Sequence, residues 1–234
     1  MQTRVTTHNI RSDIVGTART AEYVKDVDGS DILCTQEDHG VNAASLMPDG
    51  WGTYQGGTRR CSVHWRESVF TKLTVRTLLL NLANGLTFPG AKREAAVVVL
   101  KDKRNGQVVK ATSAHLVPHA DDDHKAGVIT PMPRGAKAVR PAIKALLADA
   151  EDHPEHVQVV CGDFNIDERA DIEIVDAGMV EQMKSGGFVT VSTADTHGAD
   201  EYDQTYVLGA RIVSQQVRAK GRSDHKAKTT VVEY

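Results

Sequence analysis

The apolar runs of this chain are short, rich in β-branched residues and repeatedly closed by polar groups, and that habit limits the fold more than any other feature. VTTHNI (5–10), DILCTQE (31–37), CSVHWR (61–66), LTVRTLLL (73–80), AAVVVLK (95–101), QVVKATSAHL (107–116) and HVQVVCGDFN (156–165) each read as a strand. Further strands are expected near 188–192, 204–213 and 228–234. Asn105-Gly106 is a strong hairpin signal. Helical spacing is confined to a few stretches. Ile14, Val15, Ala18, Ala21, Val24 and Val27 recur at helical spacing after Ser12 or Asp13 as caps, and Val139, Ile143, Leu146 and Leu147 lie on one face within 136–150. A mixed segment over 167–184 is also expected to be helical. Many strands with few helices favour two packed sheets with helices outside over a doubly wound parallel sheet. No repeat and no linker interrupts the pattern, so residues 1–234 are expected to form one domain.

Composition narrows the function. A chain of 234 residues, 40% hydrophobic and 25% charged, can bury a sizeable core and is neither coiled coil nor disordered. With 28 basic and 31 acidic residues the net charge is −3, which excludes a polycation but leaves room for a local basic groove. Cys34, Cys61 and Cys161 are too few and too scattered for a disulfide framework, and they lack zinc-site spacing. Cys34 and Cys161 lie in apolar runs and read as buried free thiols. The start, MQTRVTTHNIRSD, has no signal core, and no run approaches a membrane span. A monomeric cytoplasmic protein with no membrane partner, in a bacterial or phage setting, is the resulting expectation.

Five apolar runs deliver polar residues at their C-terminal ends: Asn9, Gln36-Glu37, His115, Gly162-Asp163-Phe164-Asn165 and Ser223-Asp224-His225; Asp203 precedes another strand. Singly, each has an ordinary structural explanation. Together they form an inventory of carboxylates, side-chain amides and two imidazoles with no Ser–His pair. That set suits a hard cation, since Mg²⁺ takes carboxylate, amide and water oxygens together with substrate phosphate. In GDFN, two polar groups at i and i+2 would project to the same side of an extended segment.

Taken in order, Asn9-Ile10-Arg11, Gln36-Glu37, Arg93-Glu94, Ser113-Ala114-His115, GDFN (162–165), Tyr202-Asp203 and Ser223-Asp224-His225 resemble the endonuclease/exonuclease/phosphatase superfamily. The likeness runs from residue 5 to the C-terminus and is greatest to the deoxyribonuclease I branch, with His115 where abasic-site nucleases carry a tyrosine. It implies an α+β fold, a four-layer α/β/β/α sandwich with the site at one open end of the sheets. It also implies that Glu37 is the main ligand of a Mg²⁺ or Mn²⁺ ion, with Asn9 beside it and Asp224 assisting the metal or the phosphate. By the same resemblance Asp163 orients or activates water, Asn165 contacts the scissile phosphate, and Asp203 pairs with His225. His115 is then the second imidazole, and which histidine is acid and which base stays open. Arg11 and Arg93 would grip phosphates with their guanidinium forks.

One departure concerns His115. Deoxyribonuclease I-like enzymes back this histidine with a glutamate near 59–61, where this chain reads Arg59-Arg60-Cys61. Either His115 lacks an ion-pair partner and has a lowered pKa, or Glu67 or Glu94 supplies one, while Arg59 and Arg60 extend the phosphate grip. HADDDH (119–124) reads as a solvated acidic turn rather than a second metal site. His8 reads as a core or supporting residue, and His153 and His156 as surface connection. Arg211, Arg218, Lys220, Arg222, Lys226 and Lys228 surround Asp224 and His225, so Arg218 and Arg222 are expected to meet nucleic-acid phosphates. The expected function is metal-dependent hydrolysis of DNA phosphodiester bonds by in-line water attack with little sequence specificity. Two rivals remain: a phosphatase for a small phosphoester such as an inositol phosphate or phospholipid headgroup, and a catalytically dead binding module.

Overall fold

In the computed structural model, the described residues are 1–38, 40–58, 60–81, 92–117, 134–166, 179–191 and 193–234. Eleven strands among them are β1 (Gln2–Asn9), β2 (Ile32–Gln36), β3 (Trp51–Gln55), β4 (Cys61–Arg66), β5 (Phe70–Asn81), β6 (Arg93–Asp102), β7 (Val108–His115), β8 (Val157–Asp163), β9 (Asp203–Leu208), β10 (Arg211–Val217) and β11 (Lys228–Glu233). The α-helices are α1 (Gly16–Val27), α2 (Arg134–Asp152) and α3 (Met179–Ser185). One six-stranded sheet runs β10-β11-β1-β2-β4-β3, and a five-stranded sheet runs β5-β6-β7-β8-β9.

Two sheets need three apolar zones, and the strand patterns supply them. Val5, Ile32, Cys34, Val63 and Trp65 of the first sheet meet Ala96, Val98, Leu100, Val109, Ala111, Val157, Val159 and Cys161 of the second. The second sheet buries its other face too. Ala95, Ala114, Val160 and Tyr206 pack under Val139, Ile143 and Leu146 of α2 and Met183 of α3. This is why AAVVVL (95–100) reads as an unbroken apolar run instead of an alternating one. On the far side Tyr23 and Val27 of α1 cover Ile10 and Leu33. The result is the expected α/β/β/α sandwich. Each fully buried Val, Ile or Leu contributes about 1.5–3 kcal/mol of transfer free energy.

Several connections follow from local chemistry. Asn105-Gly106 does turn β6 into β7, with Gly106 at φ +77° and the Asn105 side chain accepting the Gln107 N–H at 3.0 Å. The C-terminal end of α2 is fastened by Lys110 of β7. Its buried ammonium donates to the carbonyls of Asp149 and His153, both at 2.9 Å, and pairs with Asp149 at 3.0 Å.

Three sequence expectations need correction. The strand foreseen over 204–213 is two, β9 and β10, divided at Gly209, where φ is +76° and a Cβ would lie 1.9 Å from the His156 carbonyl oxygen. The strand foreseen at 188–192 is only a bridge from Val189 to Val207. WGTYQ (51–55) forms β3, an edge strand that was not foreseen because Gly52 breaks its pattern; a Cβ there would meet the Trp65 indole at 2.1 Å. Most of 167–184 and all of HADDDH lie outside the described residues. No helix among the described residues is long and apolar enough to cross a membrane.

Candidate active site

Strand direction gathers the polar ends onto one rim. β1 and β2 are parallel, with Asn9 beside Gln36, and β7 and β8 are parallel, with His115 beside Asp163. The C-termini of these four strands therefore point the same way within their sheets. β9 and β11 run antiparallel to β8 and β1, so it is their beginnings, Asp203 and the residues before Lys228, that reach that end. Asn9 then joins the sheets: its Nδ2 donates to Glu37 Oε1 at 3.1 Å and to Asp163 Oδ2 at 2.9 Å.

A repeated local device closes three of these ends. Asn9 Oδ1 accepts the Arg11 N–H at 3.0 Å, Asp163 Oδ1 accepts the Asn165 N–H at 2.9 Å, and Ser223 Oγ accepts the His225 N–H at 3.1 Å. Each is a side-chain turn spanning i to i+2. In two of them residue i+2 is left-handed, Arg11 at φ +60° and Asn165 at +54°; Glu37, just after β2, is left-handed at +62°. Such a backbone costs roughly 1–2 kcal/mol at a non-glycine residue, so surrounding bonds must hold it. For GDFN this corrects the sequence argument. The segment is not extended through Asn165, whose side chain donates to the Leu116 carbonyl at 3.2 Å, while Phe164 packs on Tyr206.

Asp163 Oδ2 lies at the centre. Besides Asn9, it is 3.5 Å from His115 Nε2 and 3.7 Å from His225 Nε2. The two imidazoles differ sharply. His225 holds Asp203 through Nδ1 at 2.7 Å; burial opposes its charge, but Asp203 and then Asp163 raise its pKa to about 10. His115 Nδ1 has no partner among the described residues, and burial, with Arg93 adding to it, lowers its pKa to about 4. Neither proposed carboxylate reaches it. Glu67 is exposed, its backbone engaged by Lys103 and Gly50, and Glu94 is turned to Lys92.

Glu37 is ionised. Burial works against its charge, but His115 and the N–H groups of Ser12 and Asn9 bring its pKa down to about 2. Its carboxylate, bridged through Asn9 to a second carboxylate, offers hard oxygen donors of the kind that Mg²⁺ and similar ions take. Arg93 is buried with Nε and Nη1 unpartnered among the described residues; burial and the nearby Arg60 charge lower its pKa. A buried guanidinium with unfilled donors is chemically suited to accept an anion as partner. Arg59 lies outside the described residues.

The remaining expected residues are distributed less simply. Arg11 forms a fork on Asp13 at 2.9 and 2.6 Å and approaches Asp224 at 3.5 Å. Arg218 does not face this cluster: its guanidinium donates to the Lys25 carbonyl at 2.9 Å and lies 3.4 Å from Asp26, on α1. Arg222 is exposed, with its backbone N–H on Glu22 at 3.1 Å. Most of the basic stretch is already engaged, Arg211 by Glu233, Lys226 by the Asp195 carbonyl and Lys228 by buried Glu201. His8 is buried against Asp26 at 2.6 Å.

Sequence reasoning missed His197. Its ring stacks on Tyr202 at 5.3 Å and lies 4.6 Å from the His225 ring, and its Nε2 is 3.6 Å from Asp224. His197, Asp224 and His225 present possible ligand atoms within 4.8 Å of one another. His197 lies between strands in a polar loop, and only its place near Asp203 could have signalled it.

Two sheets with carboxylates, amides and two unlike imidazoles at one rim define a phosphoester hydrolase. The chain belongs to the Endonuclease/Exonuclease/phosphatase family, whose model matches residues 6–225. Among solved structures, an endonuclease/exonuclease/phosphatase from Bacteroides vulgatus is 17% identical, with a TM-score of 0.74 and coverage of 100% of this chain and 99% of that one. A mannosyl-6-phosphatase from Bacteroides thetaiotaomicron is 13% identical at TM-score 0.74, covering 99% and 100%. D. rerio TDP2 complexed with a single-strand DNA product is 12% identical at TM-score 0.72, covering 100% and 99%. At these identities the likeness establishes the fold. No curated protein matches.

Proposed function

We propose that the protein is a Mg²⁺- or Mn²⁺-dependent phosphodiesterase that hydrolyses nucleic acid, DNA foremost, acting as a monomer with little sequence specificity. The observation that carries the chemistry is the arrangement around Asp163 Oδ2, with an amide and two imidazoles of opposite protonation within 3.7 Å. Glu37, with Asn9 beside it and Asp224 assisting, would hold the ion. A bound divalent ion polarises the phosphoryl oxygen and steadies the leaving oxygen. Asp163 orients the attacking water and accepts its proton as attack proceeds in line. His225, charged at neutral pH and held by Asp203, donates to a phosphate oxygen where negative charge accumulates. Neutral His115 accepts or relays a proton, Asn165 donates to the scissile phosphate, and Arg93 and Arg11 grip its oxygens.

The DNA reading draws on the similarity to a protein bound to a DNA product. A small phosphoester substrate is the second reading. It is favoured by the engagement of Arg218, Lys226 and Lys228 inside the protein, which leaves Lys220 and Arg222 as the exposed basic side chains of 218–228, and by the similarity to a sugar phosphatase. Parallel assays on supercoiled plasmid, bis-p-nitrophenyl phosphate and mannose 6-phosphate separate the two. Plasmid nicking at substoichiometric enzyme supports the first reading. Turnover of the sugar phosphate alone would replace it with the second, and binding without turnover of any substrate would mark a dead module.

A further inference from the structure

Arg19, in the first turn of α1, is 1% exposed and lies outside the set of groups that would touch substrate. Its two terminal nitrogens are fully committed. Nη1 donates to the carbonyls of Arg11 at 2.8 Å and Ile14 at 3.1 Å, and Nη2 donates to the Glu37 carbonyl at 2.9 Å and to Asp38 Oδ1 at 2.9 Å. Arg11 and Glu37 are two of the three left-handed non-glycine residues among those described. One guanidinium thus holds the carbonyls of two strained residues at the ends of two neighbouring strands. Asp38, wholly buried, fixes that guanidinium in turn. Its Oδ1 also accepts the Tyr23 hydroxyl and its Oδ2 the Thr35 hydroxyl, each at 2.5 Å.

Geometry explains why the arrangement needs arginine. The planar fork reaches three carbonyls and a carboxylate at once, whereas an ammonium is a single point that cannot span β1 and β2 together. Without the fork, the Glu37 carbonyl is free to turn, the residue relaxes toward ordinary φ, and its carboxylate swings away from Asn9 and the Ser12 N–H. We infer that Arg19 is a positioning residue, locked by Asp38 and Tyr23, that sets the left-handed backbone of Glu37 and Arg11 and thereby aims the Glu37 carboxylate at the divalent ion. This rests on the reading of Glu37 as metal ligand.

Titration of the whole protein with Mn²⁺, followed by the electron paramagnetic resonance of the free ion, tests it without relying on turnover. Arg19→Lys keeps a cation for Asp38, so the fold is expected to stand while Mn²⁺ binding weakens five- to tenfold. In turnover assays its kcat is expected to fall with KM little changed. Tyr23→Phe removes only one hydroxyl from the lock and is expected to weaken binding two- to threefold. Lys110→Met destabilises a distant buried ion pair, and its Mn²⁺ affinity should match wild type. Glu37→Gln should weaken binding at least tenfold. If Glu37→Gln weakens binding but Arg19→Lys does not, or Tyr23→Phe does not where Arg19→Lys fails to fold, the positioning role is wrong and the ligand stands. Unchanged binding in Glu37→Gln overturns the ligand reading and the inference with it.

Discussion

At the scale of single residues, two histidines of one pocket differ in protonation, one a cation and the other neutral near pH 7. His225 is charged because Asp203 and Asp163 outweigh burial, whereas His115 has burial and Arg93 against it and, among the described residues, no partner on Nδ1. Asp203→Asn should therefore cost about 10²-fold or more in kcat, since general-acid and charge-stabilising roles of this kind typically supply 10²–10⁴. It should also move the alkaline limb of the pH–rate profile toward neutrality. An unchanged limb in steady-state kinetics would show that His225 is not the titrating group. Stability carries its own pH signature through His64. That ring is wholly buried between the Thr35 and Thr53 hydroxyls, and burial lowers its pKa to about 4. Below about pH 6.5 the unfolded chain takes a proton at this histidine that the folded one refuses, so this group's contribution to stability is lost as pH drops from about 6.5 toward 4, by about 3 kcal/mol. Replacing His64 with glutamine should make the urea-midpoint profile shallower in that window, where buried His115, also lowered to about 4, keeps its own share of the slope, and leave the slope unchanged above pH 7.

At the scale of elements, strand ends made the site legible from sequence. Asn9, Glu37, His115, Asp163, Asn165, Asp203 and His225 all occupy ends of β-branched runs, and parallel pairing of β1 with β2 and β7 with β8 brings those ends together. Less legible was how each end is turned. The i to i+2 side-chain turns at Asn9, Asp163 and Ser223 leave no periodic trace, so GDFN looked extended where it bends at Asn165. His197 and the Arg19–Asp38 lock escaped for a related reason: both join segments distant along the chain, and no local pattern marks a side chain that bonds a remote carbonyl. Within β8, Gly162 stands where a Cβ would lie 1.8 Å from the Ala114 carbonyl oxygen of β7. Gly162→Ala should force β7 and β8 apart between His115 and Asp163. A loss of roughly 3 kcal/mol in chemical denaturation is expected, in the range of overpacked cores, with activity falling further than stability alone explains. Full activity in a variant of wild-type stability would show that this close approach is not needed.

For the molecule as a whole, the net charge of −3 conceals a division of labour. Acidic residues gather at the rim, where Glu37 and Asp163 share Asn9, while much of the C-terminal basic stretch is spent inside the fold. The stretch therefore has fewer cations free to meet a phosphate than its composition promised, and buried Arg93 is the cation proposed for that role. Arg218→Ala should accordingly lower stability by roughly 1 kcal/mol, through the lost bonds to Lys25 and Asp26, and leave the salt slope of nucleic-acid binding unchanged; a shallower slope in fluorescence anisotropy would return Arg218 to the substrate groove. The central claim, that this rim hydrolyses phosphoesters with a divalent ion, is tested most directly by supercoiled plasmid incubated with Mg²⁺, with Mg²⁺ plus EDTA, and with the Asp163→Asn protein. Nicking by wild type with Mg²⁺, abolished by EDTA and reduced at least about 10²-fold by Asp163→Asn, is the predicted result; nicking that persists undiminished in the Asp163→Asn protein would contradict it.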